Sequence, residues 1–252
     1  MMSGGFDARP SGESLASLAQ AVERMDRKLT KLLTTPTSGI PVSSSLKAGY
    51  ESFLKAPHEA YLEALQSGAI AEAYKILERI KKVSDTHEYI AALGLLVSMG
   101  EERALAVLES ATDEVLKEGS KIDKFDDLLT TIAQVLQNYA NNTGKFKELV
   151  EYLDDFLTKL LPRGDVTNDT KAFVANKIGM LSWTARDYER CIRYTKQAKE
   201  LNPEPSYSYN LCLAYKRQDM SEELAKEGDC LSKMPDLDDD HKALLVEQGY
   251  NI

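Results

Sequence analysis

The strongest constraint on the fold is where the prolines are not. The eight prolines stand at 10, 36, 41, 57, 162, 203, 205 and 235, so residues 58–161 contain none. Proline removes a backbone donor and its ring clashes with the preceding turn, so helix interiors exclude it. A long proline-free run with apolar residues every three or four positions reads as a succession of helices. Gly68, Gly100, Gly119, Gly144 and Gly164 fall between the periodic segments. Helix C-caps and tight interhelical turns use glycine at such places. No alternating β-branched run is bracketed by Asn-Gly or Asp-Gly, so no β-hairpin is expected.

The pattern predicts helices over 14–34, 46–55, 58–67, 69–83, 87–99, 101–118, 123–142, 144–161, 169–184, 187–201, 206–218, 221–233 and 238–248. The turns around Gly68, Gly100, Gly144, Ala185-Arg186 and Asp219-Met220 are short. Short turns force antiparallel neighbours. The expected fold class is all-α: five helical hairpins and a terminal helix. A lone hairpin leaves an apolar face unburied. Stacking hairpin on hairpin buries those faces in one continuous core, as in an α-solenoid. A globular helical bundle is the alternative.

Charge and cysteine content exclude several functions. The 252 residues carry 31 basic and 40 acidic side chains, for a net charge of −9 and a pI of about 5.0. Nucleic acid and anionic lipid both need a basic surface, so neither is expected as a partner. Cys191, Cys212 and Cys230 are too far apart in sequence for a metal knuckle or a CxxC redox motif. No apolar stretch approaches the roughly 18 residues of a membrane helix. Met1 to Ser14 contains no apolar signal-peptide core. These features lead us to expect a cytoplasmic chain with no membrane insertion.

Residues 172–205 read AFVANKIGMLSWTARDYERCIRYTKQAKELNPEP. Ala172, Ile178-Gly179, Asp187-Tyr188-Glu189, Ile192, Tyr194, Ala198, Glu200-Leu201 and Pro203 make this segment resemble a tetratricopeptide repeat, without a gap. Gly179 would let the two helices of a hairpin approach closely. Tyr188 would fill the space at the turn, and Ala198 would pack against the next repeat. Pro203 would stop the second helix. Cys191 stands where the family usually has Ala, Ser182 where it has an aromatic, and Arg186 where Gly is common. Residues 206–235 follow the same plan through Leu211, Ala214, Tyr215, Ala225 and Pro235. Residues 87–111 follow it more loosely through Leu93-Gly94, Gly100, Ala104 and Leu108. The pair 123–161 departs most, because its helices are too long for the unit.

The resemblance implies a right-handed solenoid whose concave groove binds a protein partner, as an extended peptide or a helix. Carried over by position, the groove would be lined by Asn176, Met180 and Trp183 from one repeat. Tyr209, Asn210, Leu213, Lys216 and Arg217 would come from the next. Asn210 matches one position of the carboxylate clamp that some family members use. The positions supplying Lys and Asn to that clamp hold Asn176 and Met180 here. Asn210 fits an ordinary inter-repeat hydrogen bond better than it fits the clamp, and Trp183 fits a core position equally.

The N-terminal segment has a different pattern. Leu15, Leu18, Val22, Met25, Leu29 and Leu32 alternate spacings of three and four, an a/d heptad seam. Ser14 can cap its start and Pro36 follows its end. Such a helix is marginal alone, because most helical stability comes from packing the apolar stripe. The seam therefore needs a partner: a second copy, another protein or the repeat body. The following TTPTSGIPVSSS has linker composition. Residues 1–13 are expected to be a disordered tail, 14–34 the heptad helix, 35–45 a linker and 46–252 the repeat domain.

No catalytic constellation emerges. His58, His87 and His241 each stand at an expected helix start, far from one another in sequence. Thr143-Gly144-Lys145 lacks the upstream glycine and strand of a phosphate loop. Asp236, Asp238, Asp239 and Asp240 suit the positive end of the last helix better than a calcium loop. No cofactor and no metal are expected. The sequence reads as a non-catalytic adaptor, with a stacking assembly subunit as the alternative and an enzyme subunit third. Residues 1–45 carry one net positive charge against −9 for the whole chain, which leaves −10 on the rest. A basic or apolar partner segment is therefore expected. A chain lacking residues 1–45 should be a folded monomer, whereas the full chain should self-associate. A truncated chain that still scatters light as a dimer would remove the seam from assembly.

Overall fold

A computed structural model describes residues 57–250. The tail, the heptad helix 14–34 with Leu15 to Leu32, the linker and the 46–55 helix lie outside these residues. The described residues are all-α, with no strand among them. The helices are α1 (57–66), α2 (Ile70–Val83), α3 (Thr86–Ser98), α4 (Glu102–Glu118), α5 (Phe125–Thr143), α6 (Phe146–Leu160), α7 (Asn168–Thr184), α8 (Tyr188–Leu201), α9 (Pro205–Arg217), α10 (Ser221–Leu231) and α11 (Asp239–Glu247). A 3-10 turn, Gly119–Lys121, follows α4. The chain divides into two compact units between Lys117 and Glu118.

In the first unit α3 is the central helix. Tyr89, Ile90, Ala92, Leu93, Leu96 and Val97 are all buried, so it has no polar face. Its start is fixed by a capping box in which Asp85 accepts from the Glu88 amide and Glu88 accepts from the Asp85 amide. The buried Tyr61 of α1 donates its hydroxyl to the Ala92 carbonyl at 2.7 Å. The buried His58 ring meets the Ser84 hydroxyl at 3.1 Å. Burial lowers the His58 pKa from its ordinary value, which favours the neutral ring.

In the second unit α7 has the central place, packing against α5, α6 and α8. Its buried residues run round the helix: Ala172, Val174, Ala175, Ile178, Gly179, Leu181 and Ser182. By contrast α6 buries one stripe, Leu149, Val150, Leu153, Phe156, Leu157 and Leu160. At Gly179 α7 and α8 come close together. A Cβ there would lie 2.6 Å from the Thr195 hydroxyl and 3.4 Å from the Cys191 carbonyl. The Trp183 and Tyr188 rings meet across the turn, and Gly179 faces Cys191 and Thr195 farther along α8, so the two helices run antiparallel. The segment entering α7 is clasped to α5: the Thr167 amide and hydroxyl both donate to Asp126, at 3.0 and 2.9 Å. Burial would raise the Asp126 pKa, but hydrogen bonds with Thr170 and Thr167 hold it below its ordinary value.

One turn geometry recurs. After α1, α3, α7, α9 and α11 a left-handed residue follows the helix, at Gly68, Gly100, Arg186, Asp219 and Gly249. In each case the next amide bonds back to the carbonyl five residues earlier, as in Asp187 to Ser182 at 2.9 Å and Met220 to Tyr215 at 3.0 Å. This is the Schellman ending, which satisfies carbonyls that a helix end leaves open. Arg186 (φ 62°) and Asp219 (φ 55°) adopt it without being glycine. The arginine in place of a common glycine therefore keeps the turn and bears its steric cost. Lys124 is also left-handed (φ 52°), which is why α5 starts at Phe125 rather than at 123. α10 ends at Leu231 rather than 233, in a turn closed by the Met234 amide on the Leu231 carbonyl.

A left-handed L-residue costs roughly 1–2 kcal/mol, partly offset because glycine has about 0.4–1 kcal/mol more unfolded-state entropy to lose. Arg186→Gly should therefore stabilise the protein by about 0.5–1 kcal/mol. Gly179→Ala should destabilise it by about 1–3 kcal/mol, the usual range for overpacking. Denaturant midpoints at unchanged slope test both, and a stabilising Gly179→Ala would refute the close-packing account.

Candidate functional site

Three helices bring a row of neutral polar groups together. The Asn210 amide on α9 donates to the Asn176 carbonyl oxygen on α7 at 3.2 Å. The Asn176 amide donates towards the Met180 sulfur, one turn on, at 3.8 Å. From α5, the Gln137 amide donates towards the same sulfur, also at 3.8 Å. Gln134 extends the row along α5, donating to Gln137 at 3.3 Å and Asn138 at 3.0 Å. Asn176, Met180 and Asn210 are half-buried, and Gln137 is buried. Amides carry both donors and acceptors, and methionine adapts to irregular surfaces. The row can meet a peptide backbone without a charge of either sign.

The other residues expected in the groove have different surroundings. Trp183 is half-buried and packs on Cys191, Ile192, Leu211, Ala214 and Tyr215 where α8 meets α9. Its ring meets the Tyr188 ring edge-on, with centroids 5.2 Å apart. Arg217 lies over the Tyr188 ring, 5.8 Å from its centroid, and its Nε donates to the Tyr188 hydroxyl at 3.3 Å. Tyr209, Leu213 and Lys216 contact the terminal helix or its cluster. The Tyr209 ring stands edge-on to His241 at 5.0 Å. Leu213 packs on Cys212, Leu231, Leu244 and Leu245. The Lys216 ammonium reaches the Glu247 carboxylate at 2.7 Å. The eight residues therefore fall into an amide row, a cluster near the α7–α8 turn and a set facing α11.

Gln137 and Gln134 were not legible as site residues. Asn176 and Asn210 are separated by 34 residues, the length of the unit that residues 172–205 resemble. Gln137 and Met180 are separated by 43, because α5 and α6 are long and break that register. Position counting cannot cross the break. Only the packing of α5 on α7 brings the two residues together.

The second helices are joined by charge. Arg190 of α8 pairs with Glu151 of α6, and the Tyr194 hydroxyl donates to Asp154. Lys199 of α8 donates to Glu227 at 2.6 Å and to the Cys230 sulfur at 3.3 Å, both on α10. Burial opposes the Lys199 charge, but these two partners hold its pKa above the ordinary value. Asp238 caps α11, accepting from the His241 amide at 2.9 Å, with Asp239 and Asp240 in the first turn. The described residues contain no group of three or more His, Cys, Asp or Glu able to hold a metal ion. No described helix is long and apolar enough to cross a membrane. The chain matches no protein-family model, and no curated protein matches it significantly.

The three thiols should differ in reactivity. Burial pushes Cys191 up to about 11 and Cys212 up to about 12. Only the thiolate attacks, so both should resist a thiol reagent at pH 8 in the folded protein. Cys230 is half-buried. Labelling followed by mass spectrometry should show Cys230 modified first, with the other two following on unfolding. Prompt labelling of Cys212 in the native state would contradict this packing.

Proposed function

We propose that this protein is a non-catalytic interaction adaptor of tetratricopeptide-like architecture, a right-handed solenoid of helical hairpins. It binds an extended peptide or helix of a partner protein along the first helices of successive hairpins. The amide row Gln137, Met180, Asn176 and Asn210 is the observation that carries this reading. It crosses three helices, and two of its members stand one repeat length apart. Trp183 and Arg217 would flank it. The excess of acidic side chains favours a basic or apolar partner segment. The heptad seam would pair two copies and raise avidity for a multivalent partner. Head-to-tail stacking is the less favoured reading, because α11 already meets Tyr209 and Lys216 of α9 and shares an apolar cluster with Leu213.

Affinity capture tests the proposal, using the wild-type chain beside Gln137→Ala and Asn210→Ala variants with unchanged circular dichroism. A true partner should be retained by the wild type and depleted about tenfold or more from each variant, a loss of about 1.4 kcal/mol. Identical capture by all three chains would remove the amide row from the binding surface.

A further inference from the structure

α11 has the form of a bound ligand rather than of a structural helix. It is nine residues long and buries only His241, Leu244 and Leu245. Val246 is 59% exposed. A helix this short does not hold its structure alone in water, so it is helical only while docked. Segments with few buried contacts open at the low end of a protein's range of opening free energies. The connection from α10 contains Pro235 and a left-handed Asp236 (φ 59°), an unfavourable conformation for a non-glycine residue. Gly228 on α10 leaves room for the residues that follow α11: a Cβ there would lie 2.4 Å from the Gln248 side-chain oxygen and 3.1 Å from the Tyr250 ring.

The contacts fall in a definite order. His241 meets Tyr209, Leu244 and Leu245 meet the apolar cluster containing Cys212, Leu213 and Leu231, and Glu247 meets Lys216. Three of those receiving residues, Tyr209, Leu213 and Lys216, are the positions expected to line the partner groove. We infer that α11 is an intramolecular occupant of a helix-binding face on α9 and α10, displaced by a partner helix of its own chemistry. That chemistry is an aromatic or imidazole ring, then two leucines one turn on, then a carboxylate to meet Lys216. The inference rests on the adaptor reading and adds its regulation: this end of the surface is closed until a competing helix opens it.

A labelled peptide of residues 236–250 is the probe, titrated with full-length chains and followed by fluorescence anisotropy. Leu245→Ala weakens the chain's own α11 and leaves the receiving face intact. It should bind the peptide about tenfold or more tighter than wild type, because a larger fraction of its faces is open. Glu247→Lys changes only an exposed side chain and should also tighten binding, which covers the case in which Leu245→Ala unfolds. Adding Lys216→Glu to the Leu245→Ala chain should weaken binding, and a peptide carrying Glu247→Lys should restore it. Equal affinity for wild type and both opened variants, no binding to any of them, or no restoration by the charge-reversed peptide would overturn the inference. The titration needs no natural partner. Peptide exchange without loss of partner capture in the Gln137 and Asn210 variants would keep the α11 face and remove the amide row. The reverse pair of results would keep the row and remove the face.

Discussion

The close approach of α7 and α8 at Gly179 is the contact on which the rest of the second unit depends. With no Cβ at that position, α7 comes near enough to Thr195 and Cys191 for α8 to pack directly on it. That seat lets Trp183 meet Tyr188 at the turn and points Cys191 and Ile192 at Leu211, Ala214 and Tyr215 of α9. The position of α9 then sets the distance between Asn210 and Asn176. A glycine in a helix interior costs about 1 kcal/mol relative to alanine, and here the interhelical packing it permits offsets that cost.

The turns do related work with different residues. Five Schellman endings close helices, and those at Gly68, Gly100, Arg186 and Asp219 lie in three-residue turns between consecutive helices. Three place glycine at the left-handed position, where it is nearly free of steric cost, and two place Arg186 and Asp219 there. The same backbone geometry therefore forms with and without the residue that favours it. Packing on either side of the turn determines the conformation, and local preference adjusts only its stability.

The two sides of the second unit differ in chemistry. The second helices are joined by Arg190 to Glu151, Tyr194 to Asp154 and Lys199 to Glu227, which are directional bonds between neighbouring hairpins. The first helices carry amides and a thioether instead, with no charged group in the row. Neutral amides cost less to desolvate than fixed charges do, provided that the partner replaces their hydrogen bonds. That contrast supports placing recognition on the first helices and cohesion on the second.

Much of this was legible in one dimension. Proline spacing, glycine punctuation and three-to-four periodicity determine that the described chain is helical, and they place each described helix to within about two residues. Gly179, Tyr188, Ala198 and Pro203 reveal one hairpin, because helix contact, turn filling and helix stopping depend on residue size and on proline chemistry. Gln137 beside Met180 was not legible, because the long α5–α6 pair breaks the repeat register between them. Nor was the docking of α11 against Tyr209, Lys216 and the apolar cluster that includes Leu213, since periodicity shows that a helix has an apolar face but not which surface receives it. The sequence by itself determined the elements, through local backbone chemistry. The tertiary structure alone decided which polar side chains share a surface, because that depends on interhelical packing between residues far apart in the chain.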